Sequence, residues 1–235
     1  MASSLSISPV FICCQGILFD MDGILISSLG SVERSWTIWA NMRGIDPESS
    51  LKTAHGRRAI ETVALLRPDL DSEAELKILE DLEIADNEGL RALPGVCELL
   101  RSLPANRWTV VTSATEKLAR ARLADGGIPV PARLVTADQV TRGKPHPEPF
   151  IAGATLLGLK PQDCVVFEDS TSGTIAGRAA GCTVIATTFS HSVESLEAAH
   201  YLVEDLTGVT ASFDAGGIVL KLARVLSGES ESVGG

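Results

Sequence analysis

The sequence predicts an α/β fold, a doubly wound parallel sheet core carrying an inserted block of helices, and three observations predict it. Short apolar runs alternate with helical patterns from about residue 93 onward, as parallel strands joined by crossover helices require. An early run, Gly16-Ile17-Leu18-Phe19, is apolar throughout, as a strand covered on both faces should be. Between residues 29 and 92, helical spacing replaces the alternation.

Taken in order, Gly16 to Phe19 is the first expected strand, and it ends in Asp20-Met21-Asp22-Gly23. Ser31 to Met42 places Val32, Trp36 and Trp39 at helical spacing, with Ile38 and Met42 on the neighbouring face. Gly44 and Pro47 close that helix. Ala59 to Leu66 and Ser72 to Leu90 read as two further helices joined by a Pro68-Asp69-Leu70-Asp71 turn, and no strand is expected between Leu29 and Leu93. Leu93-Pro94-Gly95 is a hinge signal. Then come helix Val96–Ser102, strand Trp108–Thr112, helix Glu116–Ala124 and a short strand Arg133–Thr136. Pro147 to Leu157 follows as a helix with proline in its first turn. Strand Cys164–Phe167, helix Gly173–Ala180, strand Thr183–Thr187 and strand Tyr201–Val203 complete the alternation. Ser212 to Leu226 is expected to form a terminal helix, followed by a solvated tail. The domain division is therefore 1–28 with 93–235 as core and 29–92 as helical insertion.

Composition narrows the partners. The 235 residues are 45% hydrophobic and 21% charged, ordinary for a globular protein, with a net charge of −10. That charge argues against nucleic acid or an anionic membrane surface as the main partner. Met1 to Val10 lacks the basic start and apolar core of a signal peptide, and no stretch is long enough to span a bilayer, so a cytoplasmic location is expected. The five cysteines lack CxxC spacing and lie mostly in apolar runs, which suits buried reduced thiols.

The chemistry is sought at the carboxyl ends of the strands, where open parallel sheets bind ligands. Asp20 and Asp22 follow the first strand, Thr112-Ser113-Ala114 the second, and Glu168-Asp169-Ser170 the fourth. Arg142-Gly143-Lys144-Pro145-His146-Pro147 lies between the third and fourth and can reach the same edge. Taken singly, Asp20 or Ser113 could be a helix cap, Lys144 a surface lysine and Glu168-Asp169 a turn. Taken in order, two like charges at the end of an apolar strand call for a positive partner between them, and a divalent cation with oxygen ligands supplies one.

The ordered set Asp20-Met21-Asp22-Gly23, Ser113, Lys144-Pro145 and Glu168-Asp169, with a helical insert after the first motif, resembles the haloacid dehalogenase superfamily of aspartate-nucleophile phosphatases. Within it, the sequence is similar to the glycerol-3-phosphate and 2-deoxyglucose-6-phosphate phosphatases through three stretches. These are His55-Gly56-Arg57-Arg58, the run Gly143 to Pro149, and Val166 to Ser170 followed by Ala176 to Cys182. The resemblance implies a Rossmann-like core with an α-helical cap and Mg²⁺ as cofactor. It implies hydrolysis of a small sugar or polyol phosphate through a phosphoaspartate on Asp20. Metal ligands would be Asp20, the Asp22 carbonyl and Asp169, with Glu168 direct or through water. Lys144 would balance the phosphoryl oxygens, and Ser113 with the Met21, Asp22 and Ala114 amides would hold them. Asp22 would act as general acid and base. His55, Arg57 and Arg58 are candidates for reaching the substrate from the cap, the other reading being a solvated basic helix start. Trp36 and Trp39 are expected in the cap core.

Two departures matter. Ile24 stands where the superfamily usually carries threonine, and Ser27 where it often carries aspartate. Sugar phosphomutases with an aliphatic residue at the first position are the nearest alternative, but their cap histidine is replaced here by Ser31, Val32 and Glu33. A receiver-like signalling domain or a degenerate phosphate-binding domain is the non-enzymatic alternative. With a cap over the site, a monomer is expected.

Overall fold

The computed structural model describes residues 8–54 and 57–228. The chain opens with β1 (Val10–Cys14), β2 (Gly16–Phe19) and β3 (Ile26–Ser27). Four helices follow: α1 (Leu29–Arg43), α2 (Pro47–Ala54), α3 (Ala59–Leu66) and α4 (Ser72–Ala85). After β4 (Arg91–Ala92) come α5 (Val96–Ser102), β5 (Trp108–Val110), α6 (Glu116–Asp125), α7 (Glu148–Leu156), β6 (Cys164–Glu168), α8 (Thr171–Ala180), β7 (Thr183–Thr187) and β8 (Tyr201–Val203). The described chain ends in β9 (Val209–Asp214), β10 (Gly217–Leu222) and β11 (Ser227–Gly228).

The main sheet has the order β11-β8-β7-β6-β2-β5, with β5, β2, β6, β7 and β8 mutually parallel and β11 antiparallel at the edge. The interior strands β2 and β6 are buried at every residue, and the Phe19 and Phe167 rings stack 5.2 Å apart. Their carboxyl ends therefore sit side by side, in register through Phe19 and Phe167. This register delivers Asp20 and Glu168 to one point.

Four expectations need correction. Residues 212–226 form the β9–β10 hairpin rather than a helix, and β10 pairs onward with β1, a strand the sequence reading did not identify. Ile218, Leu220 and Leu222 are buried at every second residue, a strand period, while Ala215-Gly216 makes the turn between the paired Asp214 and Gly217. Arg133–Thr136 makes only a single bridge, Val111 to Val135. The helix from Ser72 stops at Ala85, because Asp86 leaves the helical conformation and takes a two-toothed hydrogen bond from Arg34 at 2.6 and 2.8 Å. Finally, β4 is a two-residue strand inside the stretch expected to be strand-free, paired with β3. The cysteines are all free thiols; Cys14, Cys164 and Cys182 are buried and Cys13 is exposed. No helix among the described residues is long and apolar enough to cross a membrane.

Helices α1–α4 surround a small core of their own, centred on Trp36, Trp39, Val63 and Leu79. The two indoles meet edge to face at 5.5 Å. Glu75 lies on the buried face of α4, where the Trp39 indole N–H donates to it at 2.7 Å and Arg43 donates at 2.7 and 2.9 Å. Arg43, first, and then Trp39 hold the Glu75 carboxyl below its ordinary pKa, against the opposing effect of burial. A carboxyl lowered on folding stabilises the fold above its unfolded pKa, and that contribution is lost as pH falls through the folded value. Glu75→Gln is expected to destabilise the protein by about 2 kcal/mol at neutral pH. Thermal melts should show the deficit shrinking toward pH 3; a deficit constant with pH would contradict the ion-pair account.

Candidate active site

Asp20 leaves the end of β2 with its amide bonded to the Phe167 carbonyl at 2.9 Å, which fixes it beside the end of β6. Gly23 then turns the chain with φ +80, and a Cβ there would stand 1.8 Å from an Asp169 carboxylate oxygen. The glycine of the first motif is thus required by close approach of the acidic residue that follows β6. Gly173 does the same for Glu168, whose carboxylate occupies the place of a Cβ at 1.6 Å. This loop also leaves the Met21 and Asp22 amides without an acceptor among the described residues.

Lys144 joins the acids. Its ammonium is buried, 2.9 Å from Asp20 Oδ1 and 2.6 Å from Glu168 Oε1, and sits 5.0 Å from the centre of the Phe150 ring. Asp20, Glu168 and Asp169 each offer a carboxylate oxygen within 4.8 Å of the others. Three buried carboxylates against one ammonium leave an excess of negative charge that water does not solvate. Burial, followed by repulsion from Glu168 and Asp22, pushes the Asp20 carboxyl up to about 7 despite Lys144. Asp169 is raised in the same way, by burial and then by Glu168 and Asp20. Burial alone would lower the Lys144 pKa, but Asp20 and Glu168 outweigh it and keep the amine charged. The donor set is hard oxygen and over-supplied with negative charge, which fits a divalent cation such as Mg²⁺.

One cavity collects most of the expected residues: Asp20, Asp22, Ser113, Ala114, Lys144 and Asp169 all line it, under a wall from α1–α4. Glu168 lies just behind, its second oxygen taking hydrogen bonds from the Asp169 amide at 2.8 Å and from the Ser170 amide and hydroxyl at 2.8 and 2.9 Å. Ser113 stands half-buried in the lining. The Ala114 amide, expected as an anion donor, instead donates to Thr112 Oγ1 at 3.1 Å. Arg58 lines the cavity, but its guanidinium is committed to Glu61 and to the Val140 and Thr141 carbonyls at 2.9 Å, bridging the helices to the core. Arg57 is exposed at the cavity, and His55 lies outside the described residues. Trp39 is fully buried as expected, whereas Trp36 also reaches the cavity wall. Ile24 is buried in the main core, so no hydroxyl is offered there.

Four further residues of the site escaped the sequence reading. Ser190 lines the cavity and donates to Asp169 Oδ2 at 2.5 Å, and its neighbour His191 lines it too. Arg122, on α6, is buried and gives one guanidinium nitrogen to both oxygens of Asp22 at 2.9 and 3.0 Å. Glu83, on α4, lies 3.2 Å from the same guanidinium. A signal was present for both members of this pair. Leu118, Ala119, Arg122 and Leu123 form the buried stripe of α6, and Glu75, Leu79 and Glu83 that of α4, so each charge interrupts an apolar face.

Comparison with known proteins agrees with this architecture. The model of the haloacid dehalogenase-like hydrolases matches residues 14–181. Hexitol phosphatase A of Escherichia coli is 41% identical over 212 residues, covering 88% of this chain and 98% of that protein. Glycerol-1-phosphate phosphohydrolase 2 of Saccharomyces cerevisiae is 35% identical over 199 residues, 79% of this chain and 80% of its own length. Among solved structures, a hydrolase from Pseudomonas syringae superposes with a TM-score of 0.73 at 24% identity, over 82% of this chain and 94% of that one. With a parallel sheet that brings Asp20, Lys144 and Asp169 to one hollow and a family match spanning most of its length, the chain belongs to the haloacid dehalogenase-like hydrolases.

Proposed function

We propose that this protein is a Mg²⁺-dependent phosphatase that hydrolyses a small sugar or polyol phosphate through a phosphoaspartate on Asp20. The observation that carries the reading is the buried Lys144, clasped between Asp20 and Glu168 with Asp169 alongside, at the floor of a cavity roofed by helices. The named relatives, a hexitol phosphatase and a glycerol-1-phosphate phosphohydrolase, support phosphoric monoester hydrolysis.

Asp20 and Asp169 would hold the cation together with the Asp22 carbonyl. Glu168 would support it through water, since both its oxygens already accept hydrogen bonds. The cation supplies charge neutralisation that lets a phosphate dianion approach a carboxylate. Lys144, the Ser113 hydroxyl and the Met21 and Asp22 amides bind the phosphoryl oxygens and orient phosphorus toward Asp20. Asp20 forms the new O–P bond as the ester O–P bond breaks, and Asp22 gives its proton to the departing alkoxide. Water then attacks phosphorus, returns a proton to Asp22 and frees Asp20 and inorganic phosphate. Residues 29–92 act as a cap on the core formed by 1–28 and 93–235, excluding bulk water while Trp36 and Leu79 wall the alcohol part. A mutase would return the phosphoryl group to a sugar, and the hydrolase names of the relatives favour release to water.

The test is phosphate release from a panel of hexitol, glycerol and hexose phosphates. The expected result is at least an approximately tenfold preference for polyol or sugar phosphates over nucleotides, with activity lost on chelation. Mg²⁺ at about 100 times its Kd should also raise the melting temperature by about 5–10 °C, and Asp169→Asn should abolish that shift. Undiminished phosphate release in excess chelator would refute the metal-dependent reading.

A further inference from the structure

We propose that Arg122 is a positioning residue that sets the placement of Asp22 and ties it, through Glu83, to the seating of α4 on the core. The inference rests on the acid–base reading of Asp22 given above. The geometry is a buried three-part bridge across two structural units. Asp22 belongs to the loop after β2, Arg122 to α6 of the core, and Glu83 to α4 of the inserted helices.

The two halves of the bridge are unequal. Arg122 bonds Asp22 through a single nitrogen shared between both carboxylate oxygens. Toward Glu83 it offers Nη2 at 3.2 Å without hydrogen-bond geometry, and its Nε has no acceptor at all among the described residues. The guanidinium is therefore held to Asp22 by hydrogen bonds and to α4 by charge. The seat of α4 is maintained separately. Thr115 Oγ1 donates to Glu80 at 2.5 Å, and Lys117 reaches Glu80 and Asp81 at 2.9 and 3.0 Å. When α4 rests on α6, Glu83 shares the positive charge of Arg122 and weakens its hold on Asp22. When α4 lifts, Asp22 is the one carboxylate among the described residues still paired with that guanidinium and is drawn onto it. Substrate enclosure and the placement of the proton donor thereby become one event.

The consequence is selective. Proton donation matters for an alkyl phosphate, whose alkoxide is a poor leaving group, and little for p-nitrophenyl phosphate, whose phenolate leaves unaided. Steady-state kinetics on glycerol 1-phosphate and p-nitrophenyl phosphate would be measured for Arg122→Met, Arg122→Lys, Glu83→Gln, Asp22→Asn and the Arg122→Met/Asp22→Asn pair. Because Asp22 also takes the proton of the hydrolytic water in a step common to both substrates, the comparison is made in kcat/KM, which covers only the steps up to departure of the alcohol. Arg122→Met is expected to lower kcat/KM on glycerol 1-phosphate about 30-fold and on p-nitrophenyl phosphate less than about threefold. Arg122→Lys should recover part of the loss, Glu83→Gln should show the same selectivity at about fivefold, and the pair should be no worse than Asp22→Asn alone. Equal losses on both substrates, additive losses in the pair, or no selective loss in Glu83→Gln would overturn the proposal. Should Arg122→Met fail to fold, Arg122→Lys and Glu83→Gln still decide it. If Asp22→Asn itself is unselective, the acid–base reading falls; if it is selective while the Arg122 and Glu83 variants are not, only the present inference does.

Discussion

Asp20→Asn is expected to reduce phosphate release by at least about 10⁴-fold while leaving the fold intact. The amide matches the carboxylate in shape, so the packing at the ends of β2 and β6 survives, but it is not nucleophilic enough to capture phosphorus. Its effect on stability should run the other way. Burial raises the Asp20 carboxyl to about 7, so in chelator the folded protein binds that proton more tightly than the unfolded chain does. Stability contributed by the protonated form is present at low pH and fades as pH rises from about 4, the ordinary carboxyl value, to about 7. Asparagine removes the term. Asp20→Asn should therefore gain melting temperature relative to wild type as pH rises through that window, and should lose the stabilisation that Mg²⁺ confers. A variant that retains turnover would exclude Asp20 as the nucleophile, whatever its stability.

How much of this was legible in the sequence follows from the range of the forces involved. The interior strands announced themselves because both faces of β2 and β6 are covered, so every residue from Gly16 to Phe19 had to be small or apolar. Asp20, Lys144 and Asp169 were readable because each follows a strand or sits in a loop at the same sheet edge, and strand register converts sequence order into proximity. The β9–β10 hairpin was misread because a run such as Ile218-Val219-Leu220-Lys221-Leu222 satisfies either period until its neighbours are known, and although β9 lies beside it in sequence, the strand on its other edge, β1, lies some 200 residues away. Arg122 and Glu83 depended on two helices from different units meeting. Their sequence signal was only a charge on an apolar stripe, which marks a buried ion pair without naming the partner. Arg58 shows the reverse case: its position suggested substrate, but the Val140 and Thr141 carbonyls needed donors, and it supplies them.

Lys144→Met tests whether the charge cluster is held together by the protein or by its substrate and cation. Methionine fills nearly the volume of the lysine stem and retains contact with Phe150, so lost packing is small. Lost charge is not: Asp20, Glu168 and Asp169 remain buried with no cation among their side-chain partners. Removing one member of a buried ion set costs about 3–5 kcal/mol, and the melting temperature should fall by roughly 10 °C in chelator. Turnover should fall about 10³-fold, because Lys144 no longer offsets the charge gathering on the phosphoryl oxygens. Two additions separate these effects. Mg²⁺ should restore much of the stability by supplying positive charge at Asp20 and Asp169, and Glu168→Gln in the same chain should restore part of it by deleting negative charge. Neither should restore turnover, since the ammonium itself is still missing at the phosphoryl group. If activity returned along with stability, Lys144 would be only a structural counter-ion, and its place in the chemistry would have to be given up.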